Sequence, residues 1–187
     1  MDGSAVWLVI GVQAAGKSTV AQGLAEAHQR SVHVRGAQLF RWAVDGWVHP
    51  GEGPEDEARR LLELRYRLSA RIADEYCAAG FTTVVQDNVY GDDVAAWLRS
   101  VAARPRHLVV LRPRPDVVAA RDAARRAATG KVAYRPGGPT IEGLDGAIGL
   151  VPTIGLWLDT SDLTPADTVA QILGRTSEAR IEDADLG

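Results

Sequence analysis

Eight consecutive residues, Gly11-Val12-Gln13-Ala14-Ala15-Gly16-Lys17-Ser18, satisfy the pattern G-x-x-x-x-G-K-[ST] without a departure. Each fixed position has a physical task. Glycines at both ends let the backbone curl close to phosphate oxygens, while loop amides and the start of the following helix supply positive potential. Lys17 reaches the terminal phosphates of a nucleotide, and the Ser18 hydroxyl can ligate Mg²⁺. The residues expected to hold the nucleotide are therefore Gly11, Ala14, Ala15, Gly16, Lys17, Ser18 and Thr19, with ATP and Mg²⁺ as cofactors and Ser18 as the metal ligand.

Two further groups could take part in phosphoryl transfer. Thr82-Thr83-Val84-Val85-Gln86-Asp87-Asn88 delivers an acid to the end of an apolar run. Asp87 there could orient or deprotonate an acceptor hydroxyl, hold Mg²⁺ through water, or simply cap the turn beside Asn88 and Gly91. Arg121 and Arg125 are four apart, so one helical face carries both. They could neutralise charge on a transferring phosphoryl group, or lie on a solvated face where Asp122 pairs with Arg126. The catalytic set expected is Lys17, Asp87, Arg121 and Arg125.

The phosphate pattern has meaning only between a strand and a helix, and the flanking residues meet that condition. Ala5 to Ile10 is apolar, and Val20, Leu24 and Ala27 then recur at helical spacing. Ser31 to Val34 reads as a second strand, followed by a helix through Leu39, Phe40, Trp42, Ala43 and Trp47. Acidic residues at 55–57 open a long helix whose expected buried stripe is Leu61, Leu64, Leu68, Ile72 and Tyr76. Phe81 to Gln86, His107 to Leu111 and Ile154 to Leu158 read as strands, with helices over 92–101, 115–128 and 165–173 and a short one ending near Leu150.

This alternation, with the phosphate-loop pattern after the first strand, predicts an α/β fold, a P-loop NTPase three-layer sandwich with a five-stranded parallel sheet. Ligands in such sheets bind beyond the carboxyl ends of the strands. One domain is expected over 1–174, with a lid at about 113–140 that includes a Gly/Pro-rich loop, and an acidic, frayed tail over 175–187.

Composition narrows the partners. A net charge of −3 disfavours a general nucleic-acid binder, and no apolar run is long enough to cross a bilayer. A cytoplasmic protein with no membrane or nucleic-acid partner is expected. Nineteen of the 21 basic residues are arginines, the side chain that grips phosphate or carboxylate oxygens with two donors, although GC-rich coding produces the same bias. Cys77 is the single cysteine and reads as packing, which leaves no intramolecular disulfide. Trp42 and Trp47 read as core or as an apolar substrate wall, and His33, His49 and His107 have no partner at a catalytic spacing.

GVQAAGKST, VVQDNVYG, VVLRPRPDVVAARDAARR and GLWLDTSDLTPADTVAQIL together resemble the chloramphenicol phosphotransferase-like group of P-loop kinases, and more distantly the shikimate and nucleotide kinases. The resemblance covers nearly the full length. It implies ATP and Mg²⁺, a five-stranded parallel sheet, a helical lid with phosphate-facing arginines matched by Arg121 and Arg125, and an acceptor pocket over the sheet's carboxyl edge. Such kinases tend to carry an aspartate just after the second strand as base for the acceptor hydroxyl, whereas this chain reads Val34-Arg35-Gly36-Ala37-Gln38. Ala37 cannot accept a proton, so Asp87 or Asp45 must substitute, or the protein binds nucleotide without efficient transfer.

Three readings follow. The leading one is an ATP-dependent small-molecule O-phosphotransferase whose partner is a small hydroxyl acceptor. The others are a non-catalytic ATP-binding module and a nucleotide-sugar kinase of the toxin type.

Overall fold

In a computed structural model that describes residues 3–130, 132–134 and 138–187, strands and helices alternate along the chain. The order is β1 (Val6–Gly11), α1 (Lys17–Glu26), β2 (Ser31–Arg35), α2 (Gly36–Phe40), α3 (Glu55–Ala78), β3 (Thr82–Gln86), α4 (Asp93–Ser100) and β4 (Arg106–Leu111). Then come α5 (Pro115–Thr129), α6 (Ile141–Gly149), β5 (Leu156–Leu158), α7 (Pro165–Gly174), α8 (Thr176–Ala179) and β6 (Arg180–Ile181), with a final 3₁₀ turn over Asp183–Leu186.

The sheet runs β2-β3-β1-β4-β5 with every one of these pairs parallel. β1, β3 and β4 are buried along their whole length. Strands that are apolar on both faces can be covered only by two helical layers, and α1 with α7 and α3 with α4 supply them. α1 and α3 each pack on β1, β2 and β3. The fold is thus an α/β P-loop sandwich. β1 is central, so the loop that follows it opens in the middle of the sheet's carboxyl edge.

The tail differs from the frayed segment expected of its composition. β6 pairs antiparallel with the start of β4, through Arg106 with Ile181 and His107 with Arg180. β5 is three residues long and reaches only Val109 to Leu111 on that edge, so β6 completes the ladder and gives the sheet a sixth strand. Ile181 and Leu186 are buried. Asp183 meets the Arg106 guanidinium at 2.5 Å, which provides a carboxylate for a cation that β4 takes out of water. The acidic composition serves buried arginine here.

Two helical expectations are also corrected. The helix after β2 stops at Phe40 and does not reach Trp47. Trp42 is 69% exposed, so it is not core. Helix α3 is turned about its axis relative to the expected stripe: it buries Ala58, Leu61, Tyr66, Ser69, Ala70, Ala73 and Cys77, while Leu68 and Tyr76 are exposed. Small side chains let this helix approach the β1–β3 surface closely, and the Ser69 hydroxyl is used by the buried Trp97 indole, which donates to it at 2.9 Å. The expected cover over 113–140 contains α5 and the segments 132–134 and 138–140; Lys131, Arg135, Pro136 and Gly137 within that expectation lie outside the described residues.

Candidate active site

The loop between β1 and α1 takes the shape its glycines permit. A Cβ at Gly11 would lie 2.6 Å from the Leu111 carbonyl oxygen of the neighbouring strand. Gly16 has φ 98° and Ala14 φ 62°, both left-handed, and the second is uncommon for a residue with a side chain. Runs of alternating handedness turn successive amides toward one point, which suits an anion. α1 begins at Lys17 directly behind this point, adding the positive end of a helix.

Lys17 is almost wholly buried, and its ammonium donates to the carbonyl oxygens of Gly11 at 2.8 Å and Val12 at 2.7 Å. Burial lowers its pKa to about 7; Asp87 acts against that shift and Arg125 adds to it. Ser18 and Thr19 are exposed at the start of α1.

Asp87 is the first residue past β3 and is 2% exposed. Its Oδ1 accepts from the Asn88 amide at 2.7 Å, and its Oδ2 lies 3.1 Å from Nε of Arg65 on α3. Neither of those two atoms meets a donor–acceptor geometry, so the contact is one of charge alone. Burial raises the carboxyl's pKa, and Arg65, the Asn88 amide and Lys17 oppose the rise. The β2–β3 register, with Arg35 opposite Gln86, sets Gly36 beside Asp87. A Cβ on Gly36 would lie 2.1 Å from Asp87 Oδ2. The residue after β2 is therefore glycine for a reason: the space a side chain would occupy already holds a carboxylate.

The two α5 arginines share a face but do different things. Arg121 donates to the Thr160 carbonyl at 2.6 Å and to the Ala15 carbonyl at 3.2 Å, tying α5 to the phosphate loop and to the turn after β5. Arg125 pairs with Asp122 at 2.6 Å, so the alternative Asp122–Arg126 pair is replaced by one three residues apart. Asp122 also accepts from the Ala133 amide, and the Tyr134 hydroxyl donates to the Gln13 carbonyl at 2.8 Å. The segment after α5 is thereby fastened over the phosphate loop.

A cleft of about 1150 Å³ joins these parts. Its floor is residues 13–20, one wall is Arg121, Arg125, Arg126 and Tyr134, and the other is formed by residues 35, 37, 38, 40 and 41 with Gln86, Asp87 and Asn88. Single small-molecule sites run to roughly 300–1,000 Å³, so this cleft has room for two ligands side by side. Lys17, Asp87, Arg121 and Arg125 all line it, as do Ala14, Ala15, Gly16, Ser18 and Thr19; Gly11 supports the loop from behind.

The histidines stay outside. His107 is stacked on Trp7 at 4.0 Å and held neutral by burial, with its pKa lowered to about 4. His33 bridges Gln22 and Gln86, and His49 meets the edge of Phe40. Asp45 is exposed and caps Gly46. Sequence reasoning missed Arg65, which is one of several arginines on α3 and carries no local signal. Gly36 did carry one, since a glycine at a strand end marks a close approach.

No curated protein matches the sequence. Several solved structures share the fold. A sugar kinase from Janibacter sp. HTCC2649 superimposes with a TM-score of 0.65 at 17% identity, covering 94% of this chain and 96% of that one. A gluconokinase from Sinorhizobium meliloti 1021 gives 0.56 at 22% identity over 92% and 90%. The APS kinase of Mycobacterium tuberculosis gives 0.57 at 17% identity over 94% and 97%. The sequence profile described as "AAA domain" matches residues 6–136, from the first strand through the phosphate loop and α5, and on that match the chain belongs to the AAA domain family.

Proposed function

We propose that this protein is an ATP-dependent kinase that transfers the γ-phosphoryl group to a hydroxyl of a small molecule. The observation that carries the reading is the cleft itself: a phosphate loop with Lys17 at its floor opens into a second compartment against residues 35, 37, 38, 40, 41 and 86–88. A module that only sensed ATP would have no use for that second compartment. The kinase names of the fold neighbours support the same reading.

The site's donors fit a magnesium nucleotide. Asp87 Oδ2 is a buried oxygen without a hydrogen-bond donor, and the Ser18 hydroxyl stands at the head of α1. Among the described residues no three metal-ligating side chains cluster. That suits Mg²⁺, which takes most of its ligands from phosphate and water. Ser18 directly, and Asp87 through water, are the residues that would hold it. Bound there, the ion would neutralise charge on the nucleotide's phosphates.

The loop amides and Lys17 bind the β- and γ-phosphates, and Arg125 neutralises charge on the equatorial oxygens as the phosphoryl group moves. The acceptor oxygen forms the new O–P bond while the bond from the γ-phosphorus to the β,γ-bridging oxygen breaks, and ADP leaves with that electron pair. The hydroxyl proton passes to solvent. In a loose transition state it leaves late, so Ala37 in place of an acid does not preclude transfer. Asp87, enclosed by Arg65 and Gly36, acts on the metal side and not as an exposed base.

The test is ADP release with hydroxylated metabolites and antibiotics as acceptors, measured above ATP hydrolysis alone. Acceptor-dependent release that disappears in a folded Lys17→Ala variant is expected. ATP binding with no acceptor-dependent release across the panel would sink the kinase reading in favour of a nucleotide-binding module.

A further inference from the structure

The charges around the cleft divide into two groups by their place in the sheet. Lys17 stands at the head of α1, and Arg121, Arg125 and Arg126 descend from α5, which follows β4 on one side of central β1. Arg35 and Arg41 lie on the other side, at the end of β2 and just past α2, with β3 between them and the phosphate loop. The first group accounts for the nucleotide's phosphates. The second adds positive charge on the β2 side, where Arg35 also borders Ser18 and Thr19 and Arg41 lies farther along the chain past α2.

Arg35 and Arg41 are exposed, and among the described residues neither has an ion-pair partner. Ten of the sixteen other described arginines meet a carboxylate, Arg65 and Arg125 at the cleft among them. Among the described residues lining the cleft, Asp87 is the one carboxylate. It is enclosed and already faces Arg65. The acceptor half of the cleft thus presents two guanidinium groups and no available negative charge.

The remaining groups in that half are neutral. Gln38, Gln86 and Asn88 offer carboxamides, and Phe40 offers a flat apolar face with the Arg41 guanidinium 5.8 Å from its ring centroid. Amides suit hydroxyls, which both donate and accept. Guanidinium groups select planar or tetrahedral oxyanions by paired N–H donors.

We infer that the acceptor is an acidic, hydroxylated small molecule, carrying a carboxylate or phosphate group that Arg35 and Arg41 bind while a separate hydroxyl faces the γ-phosphate. The inference rests on the kinase reading and adds the charge of the substrate to it. An anionic group held at the β2 side leaves the rest of the acceptor to extend across Gln86 and Asn88 toward Lys17. A neutral acceptor would leave both guanidinium groups to water and make no use of the charge at that end of the cleft.

The experiment compares matched acceptors: glycerol with glycerol 3-phosphate, sorbitol with gluconate, and free sugars with their phosphates. ADP release and thermal stabilisation in the presence of ADP and Mg²⁺ are read for each. Turnover confined to the acidic members is expected, and the carboxylate and phosphate arms show which oxyanion is used. Arg35→Gln and Arg41→Gln should each raise KM for that acceptor about ten- to hundredfold, the range for loss of a hydrogen bond to a charged group, while KM for ATP moves less than about twofold. Turnover of neutral members at equal or greater efficiency, or no change in acceptor KM in both variants, overturns the anionic acceptor and leaves the kinase standing. Stabilisation by the acidic members, lost in the arginine variants but without ADP release, upholds the anion site and overturns the kinase. Neither stabilisation nor turnover with any member overturns both.

Discussion

The Asp87 carboxylate lies 3.1 Å from the Arg65 guanidinium, and their side chains are 1% and 11% exposed. Arg65 is thus the counter-charge of the acid that ends β3, which gives Asp87 a structural part beside the metal-side role proposed for it. Asp87→Asn keeps the shape but leaves Arg65 buried without a charge partner, a loss of roughly 3 kcal/mol or more for a pair this dry. We expect a lowered melting temperature together with about a hundredfold loss of acceptor-dependent ADP release. Arg65→Met combined with Asp87→Asn should be more stable than Asp87→Asn alone and no more active. Denaturant titration with steady-state kinetics checks both, and a fully stable Asp87→Asn would show that the pair carries no stability.

Lys17 links stability of the nucleotide-free protein to pH. Its pKa is about 7 in the fold against ~10.4 in an unfolded chain, so between those values the unfolded state holds more protons. The folded state is penalised fully below pH 7, and the penalty is relieved as pH rises toward 10. Lys17→Met should therefore stabilise the empty protein at pH 7, by an amount on the order of a few kcal/mol, and by less at pH 9. Denaturant midpoints for both proteins at the two pH values measure this. A gap between variant and parent that does not shrink with pH means that Lys17 is charged and satisfied in the empty loop.

Arg121 and Arg125 should separate in kinetics. Arg121 holds the Ala15 and Thr160 carbonyls, so Arg121→Ala loosens the loop and costs about 1.5–3 kcal/mol of stability together with ATP affinity. Arg125→Ala should leave stability and ATP affinity near the parent's and lower kcat by about a hundredfold. ATP binding, melting and kcat for the two variants decide the assignment. Equal turnover in Arg125→Ala and the parent returns that side chain to a surface pair with Asp122.

The tail should be part of the folding unit. A chain ending at Gly174 loses the burial of Ile181 and Leu186, worth about 3–6 kcal/mol, and strips Arg106 of Asp183. Its denaturant midpoint should fall accordingly. A truncated protein as stable as the full chain would show β6 to be an appendage.

What the sequence determined by itself is whatever depends on neighbours along the chain. The phosphate loop is eight contiguous residues, and its glycines, Lys17 and Ser18 mean the same thing in any strand–loop–helix context. The alternation of apolar runs with helical spacings likewise sets a parallel sheet with helices on both faces, and it places Asp87 at the sheet's carboxyl edge.

Tertiary structure decided what depends on residues far apart. Gly36 and Asp87 are brought together by the β2–β3 register, so the glycine after β2 could not be recognised as the room left for an acid 51 residues on until the two strands were paired. Arg65 became that acid's partner through the rotation of α3, which Leu64, Leu68 and Tyr76 misrepresent because the helix buries its small residues against the sheet. The tail, too polar to form a core alone, is ordered because short β5 leaves half an edge of β4 open and because buried Arg106 requires a carboxylate. Local chemistry is written in consecutive residues, whereas the pairing of charges and the filling of space exist only once the chain has closed on itself.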